Sequence, residues 1–430
     1  MFKNKVVKNA SWIIACKVIQ SILTLVVTMF TARYLGPSNF GLINYAASVA
    51  AFVSPIALLG ISNILVQEIV DDYEHENEIV GTSIILSLSS AVICMFGVYA
   101  FASIANRGDT EAIIVCALYS IMLVFQSIEL VQYWFHAKLL SKYVSIVALF
   151  AYCVYSGYRI FLLSSGKNIY WFALSNALDK LIISTILIIF FNIKRGRPRF
   201  SASIARRILA KSKYYILADL MVVVFAQTDK IMLKSMLGNR ATGLYSAAVA
   251  CACLGDFVFA AIYDSTRPII FEAKKENDIL FKTRITQLFS VITYISLFYS
   301  IAITTLAPII ISIIYGKQYI EASNALRLAV WFTAFSNYGV VRNIWLLAEG
   351  KQKHLLKINV SGALINVIMN YFTIPLFGIM GAAFSSLFAQ FFTNVITGYI
   401  FKDISEVNKY MMKGLNPNVA LGLVKNRRIL

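Results

Sequence analysis

Tyr34-Leu35-Gly36-Pro37-Ser38-Asn39-Phe40-Gly41-Leu42 and Met236-Leu237-Gly238-Asn239-Arg240-Ala241-Thr242-Gly243-Leu244-Tyr245 both contain L-G-x-x-x-x-G-L, and small residues follow each, Ala46-Ala47 and Ala247-Ala248. The first glycines of the two copies stand 202 residues apart in a chain of 430, nearly half its length. Each copy joins two apolar runs. Around the first copy these are 10–32, whose one charge is Lys17, and 41–66, which has none. A helix needs roughly 20 apolar residues to cross about 30 Å of hydrocarbon, and runs of that length recur along the chain. They place twelve transmembrane helices near 10–32, 41–66, 79–105, 111–135, 143–164, 169–192, 214–236, 243–268, 285–314, 323–348, 356–376 and 379–401. The repeat divides them six and six. Halves with an even number of spans share topology, which predicts two lobes related by an axis along the membrane normal. The expected organisation is an N-terminal lobe 1–192, a basic linker 193–213, a C-terminal lobe 214–401 and a tail 402–430.

Composition agrees with an all-α integral membrane protein. The chain is 59% hydrophobic and 14% charged, against about 25% charged in soluble domains. The net charge of +18 would suggest nucleic acid as a partner, but the basic residues lie in short segments between apolar runs. Such a distribution encodes orientation instead. With the N-terminus inside, and with Lys234, Arg267 and Lys357 at span ends counted with their loops, 27 Lys and Arg fall on the inner side and 6 on the outer, with 6 within spans. Both termini are therefore expected in the cytoplasm. One inner loop, 67–78, is acidic rather than basic. Lys3, Lys5 and Lys8 precede the first run, which is too long for a signal-peptide core and ends in no A-x-A-like site, so it reads as an uncleaved span. The longest loop, 193–213, carries eight basic residues, and 201–213 has the pattern of a surface helix on anionic lipid or of a topogenic linker.

The six cysteines fall inside predicted spans without a C-x-x-C pair, and the three histidines sit in loops without zinc-ligand spacing. Neither a metal nor a cofactor is expected. No G-x-x-x-x-G-K-[ST] is present, which argues against ATP hydrolysis by this chain. Outer loops are mostly under about ten residues and hold no histidine, which argues against a polymerase or ligase. Pro55, Gly60 and Pro308 are expected to interrupt their helices, and Trp134, Tyr133, Trp171 and Tyr170 to anchor span ends at the interface.

Charges inside spans are functional candidates by default. Basic ones are Lys17, Arg159, Lys180, Lys230, Arg327 and Arg342; acidic ones are Glu129, Asp179, Asp219, Asp229, Asp256 and Asp264. Asp219 and Lys230 are 11 residues apart, as are Asp256 and Arg267, which brings each pair to within about 20° of one helix face. Mixed-charge stripes of this kind must meet a wet cavity or a partner helix.

Several motifs resemble one family. Ala32-Arg33-Tyr34-Leu35-Gly36-Pro37 with Phe40-Gly41-Leu42, Gln227-Thr228-Asp229-Lys230-Ile231-Met232-Leu233, Tyr315-Gly316, Glu349-Gly350-Lys351-Gln352-Lys353, Asn366, Asn370, Ile374-Pro375 and Gly381-Ala382-Ala383 are similar in order and spacing to Wzx-type polysaccharide flippases. These belong to the multidrug/oligosaccharidyl-lipid/polysaccharide exporter superfamily. The resemblance implies two six-helix lobes around a central cavity bordered by spans one, two, seven and eight. It also implies alternating access and an undecaprenyl-pyrophosphate-linked glycan as cargo, flipped across a bacterial plasma membrane for O-antigen or capsule, with polysaccharide polymerase and chain-length machinery as partners. On that basis Lys17, Arg33, Lys230, Arg267 and Arg342 are expected to contact the pyrophosphate or glycan. Asp219, Asp229, Asp256, Asp264 and Glu129 are expected to balance charge or couple to an ion. An ion-coupled multidrug antiporter and a lipid II flippase are the competing readings within the superfamily.

Overall fold

The computed structural model describes residues 2–419, with side chains from Cys16 onward. The side chains of Lys3, Lys5 and Lys8 and the tail beyond 419 lie outside the described residues. Among the described residues there is no strand. Eight helices are long and apolar enough to cross a membrane, or nine when Asn239–Ala252 and Asp256–Glu276, bent by 43°, are taken as one span. The longest of these, Cys16–Ala57, has 42 residues, about 63 Å of helix and twice the hydrocarbon thickness. It therefore holds two predicted spans. Ala202–Leu237 and Ala322–Ala348 carry the expected seventh and tenth spans but are more polar. With these the arrangement is consistent with twelve.

The repeat is visible in the backbone. Helix Phe2–Ala57 kinks at Gly36, with φ 71° and ψ 171°, and Gly238 adopts φ 86° and ψ −174°. Only glycine enters that region without strain. Pro37 then begins the second helix, where its missing N–H is harmless. Ala46, Ala247 and Ala248 are buried, as small residues must be where helices approach closely.

The chain forms two compact units, Met1–Gln227 and Thr228–Leu430. The boundary lies inside helix Ala202–Leu237, because the residues expected as a linker pack into the first unit. Ile204 and Ile208 join a core with Trp134, Phe135 and Phe191. The basic residues of the same segment meet the acidic loop that broke the charge rule. Arg207 Nε lies 3.0 Å from Glu68, its Nη2 2.9 Å from Asp72, and Lys211 also pairs with Glu68. Arg195 Nε is 3.2 Å from Glu76. The Asn77 amide donates to the Arg195 carbonyl at 2.6 Å, and the Arg199 N–H to the Asn77 carbonyl at 3.1 Å.

The second unit ends in a helix at the equivalent place. Ser405–Gly414 lays Val407, Tyr410 and Met411 on a core with Trp345, Phe281 and Phe289. At an offset of 202, Ala205, Ile208 and Ser212 correspond to Val407, Tyr410 and Gly414, and all six are buried. The repeat is thus six spans plus one amphipathic helix.

Two expectations need correction. Trp134 is no interfacial anchor: it is 3% exposed, edge-on to Phe135 and Phe191, and donates its indole N–H to Glu76 at 2.8 Å. Helix Asp278–Ile314 continues across Pro308 without a break.

Candidate functional site

In each unit the second helix of the repeat is broken, and a polar cavity lies beside the break. Helix Phe2–Ala57 ends two residues after Pro55, followed by left-handed Leu59 and Gly60 and a short turn Ile61–Asn63. A Cβ on Gly60 would meet the Ser212 carbonyl at 2.8 Å, so no larger residue fits there. The cavity beside this break, about 370 Å³, is lined by Ala51, Ser54, Leu58, Tyr119, Gln126 and Asp219 among others. Its polar groups pair with protein. Ser54 donates to Gln126 Oε1 at 3.3 Å, and the Asn63 amide to Asp219 Oδ2 at 2.8 Å.

In the second unit the helix breaks at 253–255. The Tyr299 hydroxyl accepts from the Gly255 N–H and donates to the Ala252 carbonyl, both at 3.0 Å. This satisfies backbone groups that the break would orphan in hydrocarbon. The adjoining cavity, about 290 Å³, is lined by Cys253, Asp256, Phe259, Ala260, Tyr263, Phe332 and Asn337 among others. Cys253, Asp256 and Ala260 stand 202 residues after Ala51, Ser54 and Leu58, so equivalent faces of the repeat line both cavities.

A third polar group is closed. Asp229 is 5% exposed and accepts hydrogen bonds from Tyr245, Ser386 and, at 2.6 Å, the Asn370 amide. Asn370 also donates to Asn366 at 3.1 Å, while its own Oδ1 has no partner among the described residues. Three donors thus converge on one buried carboxylate.

Seen from the sequence expectations, Asp219 and Asp256 line cavities, and Asp229 sits at the closed cluster with Lys230 half-buried beside it. Lys17, Arg33, Asp264 and Arg267 are exposed. Glu129 is buried and ion-paired with Lys180 at 3.0 Å. Arg159 is buried and bonded to Ser175 and Asn176 at 3.2 and 3.1 Å. Asn337, Tyr263 and Ser386 went unremarked in the sequence, and Tyr245 was noted only as part of the repeat. Their only signal is a polar side chain inside an apolar run.

The polysaccharide biosynthesis protein family matches residues 6–274, well over half of the chain. The chain belongs to this family. One relative is the capsular polysaccharide biosynthesis protein CapF of Staphylococcus aureus, 22% identical over 93% of this chain and all of that one. Among solved structures, the lipid II flippase MurJ in an inward closed conformation has a TM-score of 0.70 at 13% identity, covering 97% of this chain and 92% of that one. An inward-facing multidrug resistance MATE family transporter of the MOP superfamily has a TM-score of 0.69 at 16% identity, covering 91% and 96%. This polysaccharide biosynthesis family member thus has the transporter fold of that superfamily and is a multi-pass membrane protein.

One further feature of the family member lies in its last span. Residues Phe392–Ile396 form a π-helical turn, which frees carbonyls from the helical ladder. Arg342, buried to 3% exposure, donates to the Thr393 carbonyl at 2.5 Å and to Asn343 at 3.1 Å. Asn408 of the terminal helix donates to the Val395 carbonyl at 2.9 Å. The expected headgroup cation Arg342 is therefore engaged in helix packing, because a buried guanidinium must bond to whatever acceptors the interior offers.

Proposed function

We propose that this protein is a flippase carrying an undecaprenyl-pyrophosphate-linked oligosaccharide repeat unit from the cytoplasmic to the outer face of a bacterial plasma membrane, for O-antigen or capsule assembly. The observation that supports it most is the combination of a transporter fold with a capsular polysaccharide relative that matches 93% of the chain. The internal repeat supports alternating access, since two equivalent units can rock against each other around a substrate. The inner-side excess of basic residues, 27 against 6, supports a cytoplasmic side for both termini. Lys17, Arg33, Lys230 and Arg267 are the proposed pyrophosphate contacts, replacing lost water as the headgroup crosses. Asp229 is the proposed coupling carboxylate, exchanging a proton or sodium ion during the cycle, and the product passes to polymerase and chain-length machinery outside.

The test is genetic and chemical. The gene is deleted in its host and restored with wild type or with Lys17→Ala, Lys230→Ala or Arg267→Ala. Surface polysaccharide and undecaprenyl-linked intermediates are then assayed. The expected outcome is loss of surface glycan, with complete repeat units held on the cytoplasmic face, and failure of the alanine variants to restore it. Normal glycan with altered dye tolerance would identify a multidrug antiporter, and loss of peptidoglycan precursor export a lipid II flippase. Gradient coupling through Asp229 fails if ion-free proteoliposomes flip at full rate.

A further inference from the structure

The two cavities occupy equivalent places in the repeat and differ in what they leave open. In the first unit Asp219 and Gln126 are bonded to Asn63 and Ser54. In the second, Asn337 is 8% exposed, and its Oδ1 accepts from the Tyr263 hydroxyl at 3.0 Å, which also reaches the Asn337 carbonyl at 3.3 Å. Those bonds fix the amide and leave its Nδ2 without an acceptor among the described residues. A buried donor left unpaired is costly and rare. In the same cavity Asp256 offers a carboxylate, and Phe259, Tyr263 and Phe332 supply ring faces.

We infer that this cavity binds one neutral sugar ring of the transported glycan, a hydroxyl of the sugar donating to Asp256 while accepting from Asn337. The inference rests on the flippase reading for its cargo. Three ligand chemistries compete for such a lining, and the donor decides among them. An organic cation suits a carboxylate among rings, but without an acceptor atom it leaves Asn337 Nδ2 unpaired. A phosphate accepts from Asn337 but is repelled by Asp256. A sugar hydroxyl is donor and acceptor at once, and the C–H face of its ring packs on phenyl rings. The volume, about 290 Å³, stands at the lower edge of ligand cavities and suits one ring rather than a chain. The pocket would then read glycan identity while cations elsewhere hold the headgroup. Asn337→Leu and Asp256→Asn remove one arm each of that recognition.

Purified full-length protein in lipid nanodiscs is titrated with the oligosaccharide released by mild acid from the host's own lipid-linked pool. Tetraphenylphosphonium and pyrophosphate serve as competitors. Wild type is expected to bind the oligosaccharide, and Asn337→Leu and Asp256→Asn to weaken it by about tenfold or more, with neither competitor displacing it. A second measurement leaves the recognition residues intact. Cys253 lines the cavity and is half-buried, while the exposed Cys153 can be replaced by serine; the oligosaccharide is expected to slow thiol labelling of Cys253 severalfold. Unchanged labelling, or Asn337→Leu binding as wild type does, overturns the proposal. Displacement by tetraphenylphosphonium makes the cavity a cation site and overturns it too. The flippase reading fails separately: it fails if deletion leaves export normal, whereas a blocked deletion strain fully rescued by both variants sinks only the sugar site.

Discussion

The indole of Trp134 in the first unit donates to a buried carboxylate, Glu76, whereas that of Trp345 in the second has no acceptor among the described residues and lies under the Lys351 ammonium, 4.8 Å from the ring. Both tryptophans close the fourth helix of their unit and sit in a buried apolar core. The difference runs through each unit. The first clamps its loop 67–78 to the segment 193–213 with Glu68, Asp72 and Glu76 against Arg195, Arg207 and Lys211. The second seals the equivalent end with the apolar side of helix Ser405–Gly414, whose Glu406 pairs with Lys282 at 3.5 Å, and the indole of Trp345 lies unpaired in that core. One scaffold thus places its equivalent tryptophan in two settings, over a buried carboxylate in the first unit and under an ammonium in the second.

The largest effect that tests this contrast is at Glu76. Its side chain is 2% exposed and serves Trp134, Lys138 and Arg195 together. Glu76→Ala strands those partners and is expected to destabilise the protein by about 3–5 kcal/mol, read as a drop in unfolding midpoint in detergent. Trp345→Phe keeps most of the ring burial and removes an N–H that was unpaired, so about 1 kcal/mol or less is expected. Equal losses at the two sites would erase the contrast.

A smaller effect tests what the units share. Gly36→Ala and Gly238→Ala each force a side chain into a glycine-only conformation, at a cost of about 1–3 kcal/mol. Nothing lies within 4 Å of a Cβ added at Gly238, so the loss there is backbone strain alone. The two substitutions are expected to shift the melting temperature alike. A neutral Gly238→Ala would mean that the second kink is not a true copy of the first.

That repeat was the most legible feature of the sequence. Apolar runs place helices because length and hydropathy are local, and Gly36 and Gly238 marked both kinks because a positive φ selects glycine. Long-range pairing was not legible. Trp134 reads as an interfacial ring until Glu76, 58 residues earlier, is found beneath it. The acidic loop 67–78 looks like an exception to the charge rule because most of its basic partners, Arg195, Arg207 and Lys211, come more than a hundred residues later. Arg342 reads as a headgroup cation because nothing in the sequence announces the π turn that offers it a carbonyl. The cavity residues Asn337 and Tyr263 are equally silent, since an asparagine within an apolar run does not say whether its amide is paired.

The smallest effect concerns pH and separates the two clamps again. In the first unit the Nδ1–H of the loop histidine His75 donates to Asp72 at 2.8 Å. This contact, with the negative charge of Asp72, raises the His75 pKa above its ordinary 6.5, and His75, followed by Arg207, holds Asp72 below its ordinary 3.8. A raised histidine contributes its stabilisation fully below pH 6.5 and loses it as pH rises through the folded value; a depressed aspartate contributes above pH 3.8 and loses it as pH falls through the folded value. The first clamp therefore loosens at both ends of the range. In the second unit Tyr410, then Lys282, holds Glu406 below 4.5, and that pairing weakens only in acid. Amide exchange in 67–78 is expected to quicken modestly as pH rises above about 6.5, beyond the intrinsic pH dependence of exchange. Exchange in 405–414, beyond the Asp403 that His354 faces at 3.6 Å, should show no such added rise. His75→Asn should remove the alkaline loosening of the first segment and leave the second unchanged. Parallel loosening of both segments above neutrality, surviving in His75→Asn, would mean that the histidine is a bystander and that the two clamps respond as one.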